Sequence, residues 1–304
     1  MPFSERLFIR QIQQLTVRPP VTVGIGDDGA VIDCRQDSKQ IVVTDMLIDQ
    51  VHFDASTVSG YDIGYKSIAV NLSDLAAMAA VPTAAFISLA LPEDLRADSE
   101  FLDSFYRAVN DLAQKHDFTI AGGDTNRIDG PLVVNVCLTG VPMSEAPVLR
   151  SGAKVGDLLV VTRPLGGSLP SGRHLKPIPR LAEAKWAVTN LQVNAMMDIS
   201  DGLALDLHRL LEESSVGAVL LENEVPIHDD VTSQLNQSQR VQHALSDGED
   251  FELLMAVGAD SFLASFPPEM NFIVVGKVVE HQLGVRLQKP NGEFIVLPEA
   301  GFQH

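Results

Sequence analysis

Residues 69–78 read Ala69-Val70-Asn71-Leu72-Ser73-Asp74-Leu75-Ala76-Ala77-Met78. Over residues 63–80 the chain has no proline and, after Gly64, no glycine, and it is rich in alanine, leucine and methionine until Pro82. This composition predicts a long buried helix that ends before the proline. A carboxylate inside such a helix is costly unless it is paired or binds a metal ion. Asp74 is therefore a candidate metal ligand, and a solvent-facing aspartate on an amphipathic helix is the alternative.

Four further short motifs place a carboxylate beside glycine or a small hydroxyl residue. They are Gly24-Ile25-Gly26-Asp27-Asp28, Thr44-Asp45, Gly122-Gly123-Asp124-Thr125 and Asp198-Ile199-Ser200-Asp201-Gly202. Mg²⁺ prefers oxygen ligands and is usually held by a few carboxylates together with substrate phosphates. The set therefore indicates a magnesium and polyphosphate site in an enzyme that uses ATP. Taken singly, Asp27-Asp28 also has the pattern of a plain turn, and one acid of the last motif that of a helix N-cap.

Other nucleotide-binding and catalytic patterns are missing from the sequence. No G-x-x-x-x-G-K-[ST] loop is present, and no G-x-G-x-x-G follows a predicted strand to open a helix. No Ser-His-Asp or Cys-His arrangement and no candidate base stands out, so we expect no catalytic protein base. Phosphoryl transfer is compatible with this absence, because it relies mostly on positioning and charge neutralisation.

Length and composition predict two domains. The chain has 304 residues, 45% of them hydrophobic, and a break rich in turn residues over 142–156 separates domains at 1–147 and 148–304. The net charge of -18 argues against a nucleic-acid partner. The N-terminus does not resemble a signal peptide and no apolar stretch reaches about 18 residues, so we expect a cytoplasmic protein without a membrane partner. Cys34 and Cys137 have no metal-site spacing and support neither zinc nor a disulfide framework.

Hydrophobic periodicity predicts an α/β alternation in both halves. Predicted strands are 30–34, 40–44, 86–91, 118–121, 132–141, 158–162, 218–221, 252–257, 271–278 and 284–288. Predicted helices are 4–15, 99–116, 180–188 and 203–213. Residues 40–44 have the apolar run of a strand buried on both faces, which places Asp45 at a strand end. Residues 166–179 are expected to be irregular, and Ser200 or Asp201 is expected to cap the helix at 203.

In order and spacing these motifs resemble the thiamine-monophosphate kinase family. That family belongs to a superfamily with aminoimidazole ribonucleotide synthetase, selenophosphate synthetase and a hydrogenase maturation protein. The resemblance spans nearly the whole chain. It rests also on His52-Phe53, Gly64-Tyr65-Lys66, Arg150-Ser151-Gly152-Ala153, Glu249-Asp250-Phe251-Glu252-Leu253 and Gly301-Phe302.

The resemblance implies a two-domain aminoimidazole ribonucleotide synthetase-like fold of the α/β (α+β) class. Its N-terminal sheet domain would form a homodimer interface, and the active site would lie in the groove next to a C-terminal α/β domain. It also implies in-line transfer of the γ-phosphoryl of ATP to thiamine monophosphate, with several Mg²⁺ ions. The implied metal ligands are Asp28, Thr44, Asp45, Asp74, Asp124, Asp198 and Asp201. The implied ATP contacts are Gly123, Asp124, Arg150 and Ser200, and the implied thiamine monophosphate contacts are His52, Glu249 and Phe302.

The sequence departs from the family in three places. Val43 stands where the family often has a hydroxyl residue, and Ser246-Asp247-Gly248-Glu249 replaces Gly-Gly-Glu. Residues 164–180 are shorter than the corresponding family region, so we expect an altered groove wall. This motivates one alternative, a catalytically weak protein that binds nucleotide or thiamine phosphate as a sensor or carrier.

A second alternative is a superfamily enzyme with another acceptor. Selenophosphate synthetase and the hydrogenase protein are disfavoured because their reactive and terminal cysteines are missing. Aminoimidazole ribonucleotide synthetase is disfavoured by His52, Glu249 and Phe302.

Overall fold

The computed structural model describes residues 19–34, 38–262, 267 and 270–302. The predicted helix over residues 4–15 lies outside these ranges. The chain divides into two compact units, Met1–Pro147 and Val148–His304, and each contains one mixed sheet with helices. The predicted α/β class is therefore confirmed. Among the helices in the described ranges, none is long and apolar enough to cross a membrane.

The N-terminal unit is a six-stranded sheet with helices. Its elements are β1 (Val21–Val23), β2 (Ala30–Asp33), β3 (Lys39–Ile48), α1 (Gly60–Ala77), β4 (Ala80–Leu91), α2 (Glu93–Ala97), α3 (Ser99–His116), β5 (Thr119–Arg127) and β6 (Val133–Pro142). The strand order is β1-β2-β3-β6-β4-β5. Among the described strands of this sheet, β4 and β5 form the one parallel pair. The remaining pairs are antiparallel, as hairpins and short returns allow.

The predicted buried helix is α1, and most of its residues are buried. It begins earlier than predicted because the side chain of Ser59 accepts a hydrogen bond from the backbone of Asp62 at 3.2 Å. Gly60 and Gly64 bring the helix against α3. A Cβ atom on either glycine would lie 2.4 Å from a carbonyl oxygen of α3. The two backbones are therefore closer than any larger residue would allow.

Several predicted strand boundaries are wrong, and β4 begins at Ala80 although the strand was predicted from residue 86. Asp45 does not end a strand, because β3 continues to Ile48 and pairs with β6 over its whole second half. The stretch 40–44 is also not buried on both faces, since Val43 is buried whereas Thr44 is exposed. The Gly122-Gly123-Asp124-Thr125 motif does not follow a strand, because parallel pairing with β4 extends β5 through it.

The C-terminal unit is a seven-stranded sheet with helices. Its elements are β7 (Leu158–Val161), α4 (Ser168–Ser171), α5 (Leu181–Asn190), β8 (Val193–Ile199), α6 (Leu203–Ser214), β9 (Gly217–Leu221), α7 (Gln237–Ser246), β10 (Glu252–Val257), β11 (Ile273–Val279), β12 (Val285–Gln288) and β13 (Phe294–Val296). The strand order is β13-β12-β9-β11-β7-β10-β8. Leucines of α6 pack with Leu159, Met197 and Leu254 in the core of this unit.

Several predictions for this unit are confirmed and two are wrong. The strands near 158–162, 218–221, 252–257, 271–278 and 284–288 are present, as are both helices. Residues 166–179, predicted to be irregular, contain α4 and a short 3₁₀ turn, Arg173–Leu175. The N-cap residue of α6 is Gly202, so neither Ser200 nor Asp201 is its N-cap. Asp206 reaches back instead and accepts hydrogen bonds from the backbone of Asp201 and Gly202 at 2.9 and 3.0 Å.

Candidate functional site

Asp28 and Asp74 form a carboxylate pair in the N-terminal unit. Their oxygen atoms lie within 4.8 Å of one another, although they are far apart in sequence. Gly29 makes this approach possible, since a Cβ there would lie 2.9 Å from the sulfur of Met78 at the end of α1 and 2.8 Å from Val43. Two carboxylates at this spacing repel each other, and a hard cation removes that repulsion. The donor set therefore fits Mg²⁺.

Thr44 and Asp45 lie on opposite faces of β3, because successive side chains of a strand alternate. Asp45 shares its face with the buried residues Val43 and Leu47. The exposed Thr44 side chain donates to the carbonyl oxygen of Val136 on β6 at 3.0 Å. The two side chains are thus not brought together, and the role of each as a metal ligand stays a prediction.

Gly123 and Asp124 lie on β5, whose residues are all exposed. A Cβ atom at Gly123 would lie 1.8 Å from the carbonyl oxygen of Ile87 on β4, so this position requires glycine. The carboxylate of Asp124 accepts hydrogen bonds from the Thr125 backbone at 2.8 Å and the Asn126 side chain at 2.7 Å. These bonds fix the carboxylate on an accessible edge of the sheet.

His52 is held in its loop by hydrogen bonds to Ile48 and Lys66. Its Nδ1 accepts from the backbone N–H of Ile48 at 3.0 Å, and its carbonyl oxygen accepts from Nζ of Lys66 at 2.8 Å. Lys66 is fully buried in α1. Lys66 was not predicted as a site residue, although a lysine in a helix of mostly apolar residues is a signal that its ammonium group has a buried acceptor.

Four residues assigned to metal, ATP or substrate meet in the C-terminal unit. The backbone N–H of Glu249 donates to the carbonyl oxygen of Ser200 at 2.6 Å, and that of Phe302 donates to Asp201 at 2.8 Å. Gly248 allows this packing, because it has φ 74° and a Cβ there would lie 2.8 Å from Cβ of Phe302. Ser200, Asp201, Glu249 and Phe302 are thus held together by backbone contacts.

Asp198 and Asp201 are both buried near the start of α6, at 3% and 7% exposure. Arg209 pairs with Asp201 at 2.7 Å and with Asp206 at 2.8 Å. Burial raises the pKa of Asp206, and the charges of Arg209 and Arg150 act in the opposite direction. Arg209 and Asp206 were not predicted. Their signal was a helical spacing of three residues, which places both side chains on one face of α6.

The chain matches the family models for both domains of AIR synthase related proteins, the N-terminal model over residues 26–141 and the C-terminal model over 154–288. It is 42% identical to the thiamine-monophosphate kinase of Rhodopirellula baltica over 272 residues, which cover 86% of this chain and 84% of that protein. A solved structure of AaThiL complexed with AMPPCP and TMP has a TM-score of 0.81 and 28% identity, and covers 98% of this chain and 95% of that one. For the crystal structure of thiamine monophosphate kinase from Aquifex aeolicus the values are 0.77, 26%, 96% and 97%. Both domains and most of the length are thus shared, and the chain belongs to the thiamine-monophosphate kinase family.

Proposed function

We propose that this chain transfers the γ-phosphoryl group of ATP to thiamine monophosphate and so makes thiamine diphosphate. The observation that carries the proposal is the Asp28–Asp74 carboxylate pair in a chain that is 42% identical to a thiamine-monophosphate kinase. The similar AaThiL structure, which holds AMPPCP and TMP, supports the same pair of substrates. The complete set of acidic motifs argues against the sensor or carrier alternative, because a pure binding protein has little need for so many metal ligands.

Asp28 and Asp74 would hold Mg²⁺. A Mg²⁺–oxygen distance of about 2.1 Å places two ligands of one ion up to about 4.2 Å apart. The carboxylate oxygens of Asp28 and Asp74, which lie within 4.8 Å of each other, are therefore close to the spacing that a single ion needs. We propose that several Mg²⁺ ions bind and that Thr44, Asp45, Asp124, Asp198 and Asp201 supply the further ligands among them. When bound, Mg²⁺ neutralises phosphate charge and orients the transferred group.

The residues of the chain would bind and orient both substrates. Thiamine monophosphate already carries an anionic phosphate, so no side chain has to remove a proton from the acceptor. This agrees with the absence of a candidate base in the sequence. We assign ATP to Gly123, Asp124, Arg150 and Ser200. We assign thiamine monophosphate to His52, Glu249 and Phe302, since a carboxylate and an aromatic ring suit an aminopyrimidine.

A steady-state assay tests this function. Purified protein with ATP, Mg²⁺ and thiamine monophosphate is expected to release thiamine diphosphate and ADP in equal amounts, measured by chromatography. EDTA is expected to stop the reaction and excess Mg²⁺ to restore it, because the carboxylates cannot replace the ion. Binding of both ligands without product would contradict the kinase and favour the sensor alternative. Hydrolysis of ATP with the precursor of aminoimidazole ribonucleotide, but not with thiamine monophosphate, would favour another superfamily enzyme.

We further propose that two copies associate through the N-terminal sheet. Met46, Phe86 and Val141 are 54%, 44% and 42% exposed, and they lie on the face opposite the buried residues of β3 and β4. Large apolar side chains on one open sheet face mark an association surface, and a second copy of the same face suits a two-fold dimer.

Replacing Phe86 with aspartate is expected to convert the dimer to a monomer, because it buries a charge at the centre of that face. Light scattering after size exclusion measures the mass. Leu283→Asp, at a residue in the other unit that is 49% exposed, is the matched control and is expected to remain dimeric. A monomeric wild type, or an unchanged mass for Phe86→Asp, would refute this surface.

A further inference from the structure

Asp250, next to the substrate-binding candidate Glu249, is held by the short segment after β7. Its buried carboxylate accepts hydrogen bonds from the backbone N–H of Gly166 at 3.1 and 3.0 Å and from Nη2 of Arg173 at 3.0 Å. Burial raises the pKa of Asp250 to about 7, and Arg173 acts against this shift. The cation therefore compensates a charge that burial alone would disfavour.

Arg173 is itself fixed on three sides. Besides Asp250, its Nε donates to Asp230 at 2.8 Å and its Nη2 donates to the carbonyl oxygen of Gly166 at 2.8 Å. The planar guanidinium suits this arrangement, because its donors are rigidly spaced. Arg173 thus links the backbone at Gly166, the carboxylate of Asp250 and the loop that carries Asp230.

Glu249 is bound from both sides in an unfavourable backbone conformation. It has φ 58°, in the left-handed region that residues with a side chain rarely adopt. Its carbonyl oxygen accepts from the buried hydroxyl of Ser168 at 2.6 Å, and its N–H donates to Ser200 at 2.6 Å. Such a conformation persists only where neighbouring groups enforce it. The direction of the Glu249 side chain therefore depends on the segment that contains Gly166, Ser168 and Arg173.

We propose that Arg173 is a positioning residue for thiamine monophosphate, acting through Asp250 to hold Glu249. The proposal rests on the proposed function, in which Glu249 contacts that substrate. It gives the short segment 164–180 a role in substrate binding, because this segment holds the loop that carries Glu249 and Asp250. Of the residues assigned to ATP, Gly123 and Asp124 lie on another unit, and Ser200 takes part only through its backbone carbonyl oxygen, which leaves its side chain outside these contacts.

The test compares Arg173→Met, Arg173→Lys and the control Arg286→Met, in which an arginine outside this network is replaced. Arg173→Met is expected to raise KM for thiamine monophosphate about tenfold, since it removes charged hydrogen bonds. KM for ATP and kcat are expected to stay within about twofold. Arg173→Lys is expected to recover part of the loss because it keeps the charge beside Asp250, and it replaces Arg173→Met if that variant does not fold. The control is expected to match the wild type.

An unchanged KM for thiamine monophosphate, or an equal rise in both KM values with a lowered melting temperature, would overturn the positioning role. Failure of the proposed function has a different signature, because wild type then makes no thiamine diphosphate. In that case calorimetry with thiamine monophosphate decides, and weaker binding to Arg173→Met than to wild type is expected. Equal binding, or no binding to wild type, overturns the proposal.

Discussion

Asp74→Asn is expected to reduce the rate of thiamine diphosphate formation by at least about 100-fold. The carboxylate of Asp74 lies within 4.8 Å of that of Asp28, so its replacement removes one of two adjacent negative ligands. Asparagine keeps the shape of the side chain, and the helix is expected to remain folded. The measurement is kcat/KM over a series of Mg²⁺ concentrations, with a melting curve for each variant. Excess Mg²⁺ is expected to restore part of the rate, because the amide oxygen is a weaker ligand.

Asp103→Asn is the matched control, since it removes the same charge from an exposed position on α3. It is expected to retain wild-type activity at every Mg²⁺ concentration. The alternative, in which Asp74 is a solvent-facing residue on an amphipathic helix, predicts that Asp74→Asn does not lower the activity. It would be supported if both variants had the activity of the wild type.

Arg180→Ala is expected to lower the free energy of unfolding by about 3–5 kcal/mol. Glu252 is 3% exposed and accepts two hydrogen bonds from Arg180, at 2.7 and 2.5 Å, and one from Thr162 at 2.5 Å. The substitution leaves this carboxylate buried without its main cation. Urea unfolding measures the loss. Lys185→Ala, at an exposed position on α5, is expected to change stability by less than about 0.5 kcal/mol.

The loss is also expected to depend on pH. Burial raises the pKa of Glu252 above its ordinary value, and removal of Arg180 raises it further. A carboxyl whose pKa is raised by folding favours the folded state below its unfolded pKa, and this contribution is lost as pH rises through the folded pKa. Arg180→Ala is therefore expected to be most destabilised near about pH 7 and less so near about pH 5. Adding Glu252→Gln is expected to recover stability at the higher pH, and equal stability of Arg180→Ala and wild type would contradict the argument.

The sequence correctly predicted those helices and strands whose pattern of apolar and polar residues matches how they pack in the structure. The helix α1 was predicted from its apolar residues, and Asp74 was identified because it breaks that pattern. The strand β8 was not predicted, because Ala195, Met196 and Met197 are weak strand formers and pairing with β10 makes them a strand. The helix α7 was missed because it is mostly polar. Its signal was the capping box of Asn236 and Gln239.

The candidate site was predicted as a set of residues but not as a set of contacts. The residue patterns alone pointed to Asp28 and Asp74, and family resemblance supplied the roles of Glu249 and Phe302. The pairing of Asp28 with Asp74, however, depends on how a loop meets a distant helix. The brace by Arg173 could not be predicted, because the segment around it has no periodicity and its partners lie far along the chain. Asp45 was placed at a strand end because local polarity was taken as a boundary, while cross-strand pairing overrides it.

The exposed strand β5 carries Gly123 and Asp124 and pairs with β4, which carries Phe86, so two paired strands serve the proposed nucleotide site and the proposed dimer surface. Two binding events that order the same pair of strands are thermodynamically linked. Whatever factor ATP contributes to self-association, self-association contributes to ATP affinity. The affinity for ATP would then depend on enzyme concentration. Where ATP favours self-association, assays at low enzyme concentration would give a weaker ATP affinity than the protein has at the higher concentration in a cell.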